Sequence, residues 1–282
     1  MAPRFPLYLW RKAAEPRWTI AHEETLQARA RGGLAIISRP GRRRLQLEIV
    51  CKSRTDAQKL VSEFGGRGKK LPRDWLKRFA RANETKRPLK IGKRLLIFNV
   101  GGTPASRVSR HKGHSHIFIP AGAAFGTGDH VTTALSLRLL EQLTRQWNAG
   151  WSIVDLGTGS GILALSAKCL GAEHVVAIDL DPVAISTAET NAQLNKIDNV
   201  DFRVGDVRRW KPAHRIDIVT ANLFSQLLIE ILPKLKRGRW LILSGVLRDQ
   251  EKEFIYALRR SKIDIVQVRR RGKWVAVLAK TI

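Results

Sequence analysis

The stretch that most constrains the fold is "SIVDLGTGSGILALSAKCLGAEHVVAIDLDPVAISTAETNAQLNK", residues 152–196. It opens with an apolar strand that closes on Asp155, turns through glycines at 157, 159 and 161, and continues as an apolar helix. A second apolar strand follows and closes on Asp179, with another helix behind it. Three further apolar runs, "VDFRVGDV", "IDIVTANLF" and "RWLILSGV", have helical segments between or after them. Strands that alternate with helices build a parallel sheet covered on both faces. Ligands on such sheets sit at the carboxyl ends of the strands, where the strand order reverses.

The glycine loop discriminates between cofactors. Glycine adopts positive φ freely and lets backbone approach a ligand closely. A dinucleotide fingerprint needs Gly-x-Gly-x-x-Gly, with a pyrophosphate on the helix N-terminus. Here the third glycine, Gly161, comes one residue early, and Ile162 stands in its place. Asp155, just ahead of Gly157 and Gly159, would repel a pyrophosphate. It suits a cationic ligand such as the methionine part of S-adenosylmethionine, with its ammonium and sulfonium groups. Asp179 lies 22 positions beyond Gly157, where an acid at a strand end can accept from both ribose hydroxyls. Asp181 reads as the cap of the helix opened by Pro182. Asp206, closing the third strand, is placed to accept from an adenine amino group.

The first part of the chain reads as a small α+β unit. Leu45, Leu47 and Ile49 alternate with Gln46 and Glu48, the pattern of a half-buried strand, and "GLAIISRP" pairs with it through a turn at Pro40-Gly41. A helix over "TDAQKLVSEF" is expected, capped by Thr55 or Asp56 and ended by Gly65-Gly66, and an earlier one near residues 23–30. Basic residues Arg67, Lys69 and Lys70 read as a connector. A helix capped near Asp74 and a strand at Leu95–Val100 follow. Expected boundaries are a basic first domain at 1–70, a linker at 71–110 and a catalytic domain at 111–282.

Charge separates these parts. Of a net charge of +27, residues 1–110 carry +19 and residues 111–282 carry +8. Such a field attracts phosphate backbones, or proteins already bound to them. Cys51 and Cys169 have neither disulfide-framework nor metal-ligand spacing, so no metal and a reducing, cytoplasmic setting are expected. No apolar run has bilayer-spanning length, and no secretory signal is read near the N-terminus.

A loop ahead of the core, "GAAFGTGDHVTTALSL" (residues 122–137), is rich in small and polar side chains and turns apolar at helical spacing. Residues 155–195 resemble the motif core of class I S-adenosylmethionine-dependent methyltransferases. Together with "AFGTGDHVTT", "ANLFSQLL" and "LILSGVLRDQ", they resemble the ribosomal protein L-eleven methyltransferase family, PrmA, from about Leu71 onward. The resemblance implies a Rossmann-like class I methyltransferase domain joined to a smaller ferredoxin-like N-terminal domain that recognises substrate. It places Thr133, Gly157, Asp179 and Asn222 on the cofactor, and Phe125, Gly126 and Thr127 along the route between methyl donor and incoming amine. Thr158 stands where the family usually has Cys. His130 reads as structural rather than as a proton acceptor.

Asn222 ends the fourth strand. Methyl transfer to an amine needs alignment and desolvation of the nucleophile more than a strong base. A neutral side-chain carbonyl can accept from the amine and steer its lone pair. Enzymes that methylate nucleobases often carry Asn-Pro-Pro-aromatic here, whereas Leu223-Phe224 follows this Asn. The expected activity is therefore methylation of lysine or N-terminal amines on a large-subunit ribosomal protein, by a cytoplasmic monomer. Ribosomal RNA contact is expected through the basic first domain. Two alternatives stay open: an RNA methyltransferase, and a catalytically idle cofactor-binding module docked on ribosomal RNA.

Overall fold

The structure is a computed structural model that describes residues 7–30, 34–37, 44–51, 53–72, 88–98, 113–120, 130–211 and 214–281. It divides into two compact units, Met1–Ala82 and Asn83–Ile282.

In the first unit the elements run β1 (Tyr8–Ala14), α1 (Pro16–Ala30), β2 (Leu34–Ile37), β3 (Leu45–Cys51), α2 (Arg54–Phe64) and β4 (Arg67–Lys70). The strands are ordered β2-β3-β1-β4 with antiparallel neighbours. Leu45, Leu47, Ile49 and Cys51 point inward as the alternation requires. Leu47, Ile49 and Cys51 meet Trp10, Leu26, Leu60 and Phe64 in one core. The Trp10 indole N–H, which burial would otherwise orphan, donates to the Gly65 carbonyl at 2.8 Å.

Three expectations for this unit need correcting. The α2 cap is Ser53, whose hydroxyl accepts from the Asp56 N–H at 3.0 Å; Thr55 and Asp56 lie inside the helix. Residues 67–70 are an edge strand paired to β1, not a connector, and all four residues are exposed. An edge strand with no inward side chain shows no alternation to read, and its lysines protect the open edge. β1 itself was read only as an apolar patch. The Pro40-Gly41 turn and the helix capped near Asp74 lie outside the described residues.

The second unit opens with a small sheet of β5 (Leu89–Ile91), β6 (Leu95–Phe98) and β7 (Ser115–Phe118). Next come α3 (Val131–Leu143), β8 (Trp151–Leu156), α4 (Ile162–Cys169), β9 (Ala172–Asp179), α5 (Pro182–Asn195) and β10 (Val200–Val204). The unit finishes with β11 (Ile216–Asn222), α6 (Ser225–Leu235), β12 (Gly238–Leu247), α7 (Glu251–Arg260), β13 (Ile263–Arg271) and β14 (Trp274–Thr281). The large sheet has the order β10-β9-β8-β11-β12-β14-β13. Its first five strands in that order are parallel. β14 runs against them, paired antiparallel to both β12 and β13, an addition that the all-parallel expectation lacked.

Separate cores fill the two faces. One holds Leu137, Leu140, Leu163 and Leu165 of α3 and α4; the other holds Leu228, Leu232, Phe254 and Leu258 of α6 and α7. The β5–β6 turn is bolted to α3. Arg94 donates to the Glu141 and Thr144 carbonyls at 2.7 and 3.1 Å. Glu141 is buried, which alone would raise its pKa. Hydrogen bonds from Arg145 and the Lys93 N–H, with the charges of Arg145 and Arg94, hold it below the usual carboxylate range instead.

Candidate functional site

The chain runs outward from β8 through β9 to β10, then returns to β11 on the other side of β8. The strand order reverses between β8 and β11, and side chains at their carboxyl ends converge there.

Gly157, Gly159 and Gly161 all have positive φ, at 75°, 56° and 79°. A Cβ on Gly157 would stand 2.4 Å from Leu223 Cδ2, and one on Gly161 would stand 2.9 Å from the Ala188 Cβ. The loop is therefore packed hard against its neighbours and needs both conformation and space that only glycine supplies. The Gly157 and Thr158 N–H groups donate to the Ile178 carbonyl, at 2.8 and 3.0 Å, which joins the loop to the end of β9.

Asp179 ends β9 half-buried. Its Oδ2 accepts from the Gly159 N–H at 2.8 Å and its Oδ1 from the Asp181 N–H at 3.0 Å. Each oxygen keeps a second lone pair for a ligand hydroxyl. Asp181 caps α5, as its position before Pro182 implies, by accepting from the Val183 N–H.

Asp155 departs from the expectation. It is fully buried, and its oxygens accept from the Thr158 and Thr220 hydroxyls at 2.6 and 2.7 Å. Burial pushes its pKa from 3.8 up to about 6, against those two hydrogen bonds, and the Asp179 charge adds to the rise. Asp155 presents no surface to a ligand; it fixes the glycine loop to β11 from below. The sequence showed an acid before the loop but could not show which way it faces.

Asp206 is partly committed as well. Its Oδ1 accepts from the Arg208 N–H at 2.8 Å, while the Arg208 guanidinium reaches Glu230 through two 3.0 Å contacts from Nε. Asn222, half-buried at the end of β11, donates from Nδ2 to the Thr133 hydroxyl at 3.4 Å. Residues 89 positions apart in sequence thus meet at the site. Thr133 is buried in the first turn of α3, directly after His130 and Thr132, whose side chains are joined at 2.7 Å.

His130 lies edge-on against Trp274, with ring centroids 5.1 Å apart. Burial, and then the charge of Lys273, bring its pKa from 6.5 down to about 4, so the ring is neutral at physiological pH. Phe125, Gly126 and Thr127 lie outside the described residues.

Two features escaped sequence reading. Asn191 and Asn195 of α5 share a helix face at i, i+4 spacing. Asn191 donates to the Ser160 carbonyl in the glycine loop at 2.8 Å. Asn195 accepts from the Phe118 N–H and donates to its carbonyl, at 2.7 and 2.8 Å. One helical turn, about 5.4 Å, thus spaces the glycine loop from the end of β7. The pair of asparagines on one face was the available signal. The second feature is apolar: Leu180, Val204 and Phe224, at the ends of β9, β10 and β11, are 66%, 56% and 45% exposed. Large apolar groups left open at three strand ends along the carboxyl edge of the sheet suit a flat, apolar ring.

The donor set fits an adenosine: a strand-end carboxylate for hydroxyls, glycine backbone that allows close approach, apolar edges and a neutral amide. Among the described residues no cluster of His, Cys, Asp or Glu could hold a metal ion, and no helix is long and apolar enough to cross a membrane.

Comparison with known proteins agrees with this geometry. The family described as Ribosomal protein L11 methyltransferase (PrmA) matches residues 55–281. The ribosomal protein L11 methyltransferase of Symbiobacterium thermophilum is 37% identical over 198 residues, which are 68% of this chain and 62% of that protein. The protein of the same name from Clostridium perfringens is 32% identical over 199 residues, covering 69% of this chain and 61% of its own length. The aligned region thus spans about three fifths of these relatives' length. The crystal structure of ribosomal protein L11 methylase from Lactobacillus delbrueckii subsp. bulgaricus superposes with a TM-score of 0.60. It is 27% identical, and the match covers 70% of this chain and 100% of that one.

Proposed function

The chain belongs to the ribosomal protein L11 methyltransferase family, and from that premise we propose that it methylates amines of ribosomal protein L11, on lysine side chains or the N-terminus, using S-adenosylmethionine. When bound, that cofactor supplies a methyl carbon already activated by its sulfonium. Asp179, at the carboxyl end of β9, takes the ribose hydroxyls, and the backbone of Gly157 and Gly159 lies along the cofactor's tail. Asp206 accepts from the adenine amino group with the oxygen its own turn leaves open. Asp155 holds the loop in place.

Asn222 faces the incoming amine. Its Nδ2 is engaged by Thr133, which aims the amide carbonyl. That carbonyl accepts a hydrogen bond from the amine and so orients the lone pair. Phe125, Gly126 and Thr127 line the amine's route in this reading. The neutral, buried His130 maintains α3 and takes no proton at working pH. An amine must arrive deprotonated, so the rate rises with pH toward the ordinary lysine pKa of about 10.4.

We read the first unit, on its β-α-β-β-α-β order, as a ferredoxin-like domain that grips the substrate and touches ribosomal RNA. The protein then works as a cytoplasmic monomer. The observation that carries the activity is the meeting of the glycine loop, Asp179 and the Asn222–Thr133 pair at the switch point of the sheet.

The test is transfer of label from methyl-labelled S-adenosylmethionine to ribosomal particles, followed by nuclease or protease. Label that survives nuclease and is lost to protease is the expected result. Label lost only to nuclease would move the assignment to RNA, and no label would leave a cofactor-binding module. Asn222→Ala should slow transfer more than tenfold with cofactor affinity changed less. An unaltered rate removes Asn222 from the chemistry.

A further inference from the structure

The +27 excess is not confined to the first unit: residues 1–82 hold +13 and residues 83–282 hold +14. Part of the second share is gathered beside the site. The tip of the β13–β14 hairpin reads Arg269-Arg270-Arg271-Gly272-Lys273, and strand alternation splits it. Arg270 projects to one face and is neutralised by Glu251 of α7, with two 2.9 Å contacts from Nε. Arg269 and Arg271 project to the other face, toward α3. There Arg269 meets Gln142, a neutral partner, and Arg138 stands one turn earlier on the same helix face. Among the described residues no carboxylate pairs with Arg138, Arg269 or Arg271.

The arginines therefore crowd one another. Burial, together with the charges of Arg271 and Arg269, draws the Arg138 pKa below its usual value. A fold that keeps mutually repelling guanidinium groups together, while supplying Arg270 between them with an acid, leaves an anion to complete the set. The ridge also adjoins the site. Lys273 stands over the Trp274 ring at 5.1 Å, and Trp274 abuts His130, three residues before Thr133. From Thr133 to Arg138 is five residues of helix, about 7.5 Å.

We propose that Arg138, Arg269 and Arg271, with Lys273 at the hairpin tip, form a phosphate-binding ridge on the catalytic unit that holds single-stranded RNA beside the methyl-transfer site. Arginine suits this role because its planar fork meets a phosphate through two parallel hydrogen bonds, and its charge persists at any working pH. The ridge follows α3 and the hairpin, so a backbone laid along it runs toward Thr133 and the site. A protein acceptor embedded in RNA would then be held by its surroundings. The binding itself needs no methyl transfer, so it stands or falls separately from the enzymatic reading.

The experiment measures affinity of the full chain for a fluorescent oligouridylate across a salt series. The variants are Arg138→Gln/Arg269→Gln/Arg271→Gln, the pair Arg269→Gln/Arg271→Gln, and a control, Lys236→Gln/Arg237→Gln/Arg239→Gln, with the same charge change at exposed positions near the amino end of β12. Loss of three phosphate contacts should lower the slope of log affinity against log salt by about 2, at about 0.7 per contact with a single strand. The pair, which leaves the half-buried Arg138 in place, should lower it by about 1.4 on the same arithmetic. The control should barely move it, and cofactor affinity should be unchanged in all three. Equal slopes for ridge and control variants would overturn the ridge in favour of a diffuse field. Equal weakening of polyglutamate binding would overturn RNA as the occupant, and no weakening at all would overturn both.

Discussion

In the first unit a four-stranded sheet buries one face beneath α1 and α2, and its other face carries Gln46, Glu48 and the Arg11–Glu48 ion pair. In the second unit a seven-stranded sheet is covered on both faces by separate cores. A sheet clamped from both sides has its carboxyl edge fixed by packing, which holds loop atoms at defined positions across long sequence separations. A sheet clamped from one side leaves strand faces and the β4 edge to solvent, where charge accumulates without cost to a core. The difference teaches where chemistry can reside: at the doubly packed edge, whose atoms packing holds in place.

The largest expected effect would break that contrast at its weaker side. Among the described residues, Trp10 is the largest fully buried side chain of the first unit. Trp10→Ala should cost about 3–5 kcal/mol in that unit's unfolding, seen as a separate early calorimetric transition, with cofactor affinity preserved. A single lowered transition that also abolishes cofactor binding would mean the two units fold as one.

The next effect concerns a buried charge at the packed edge. A carboxyl whose folded pKa is raised stabilises most below its unfolded value, and that contribution is lost as pH rises through the folded value. For Asp155 the window runs from 3.8 to about 6. His130 acts with opposite sign: its folded pKa is depressed, so stability rises with pH between about 4 and 6.5. The two nearly cancel in the parent protein. Asp155→Asn removes one arm, so denaturant unfolding of the variant should gain on the parent by about 3 kcal/mol across that window. Parallel pH curves would show that the carboxyl is not held as the geometry requires.

Gly157→Ala sharpens the comparison at a single loop. The residue has φ 75°, and the new Cβ would meet Leu223 at 2.4 Å. Strain of roughly 1–2 kcal/mol is expected, with cofactor affinity in calorimetry falling by tenfold or more. Intact affinity would show that the loop tolerates displacement. The smallest effect belongs to the first unit. Ser53→Ala should cost about 1 kcal/mol through loss of the α2 cap, with RNA affinity unchanged, and a larger loss would mean that the cap also supports β4.

The site was legible where local chemistry writes itself into the chain. Three glycines that need positive φ, an acid closing β9 and a cap before Pro182 are all short-range demands, and each stands where it was read. Asn191 and Asn195 were missed because a buried asparagine on a helix is explained only by what it meets: here the Ser160 carbonyl and the Phe118 backbone, 31 and 77 residues away. β4 was missed for the opposite reason, since four exposed residues leave no pattern.

By itself the sequence determined the alternation of strands and helices from β8 to β12, the glycine loop, the acid at the end of β9 and the family to which the chain belongs. Tertiary structure alone decided that Asp155 faces inward to two threonines, that Asn222 meets Thr133, that β14 runs against its neighbours, and that three arginines share one face beside the site. The reason is one of range. Backbone conformation and hydrophobic period are set within a few residues, while the direction of a side chain and its partners depend on which distant elements packing brings against it.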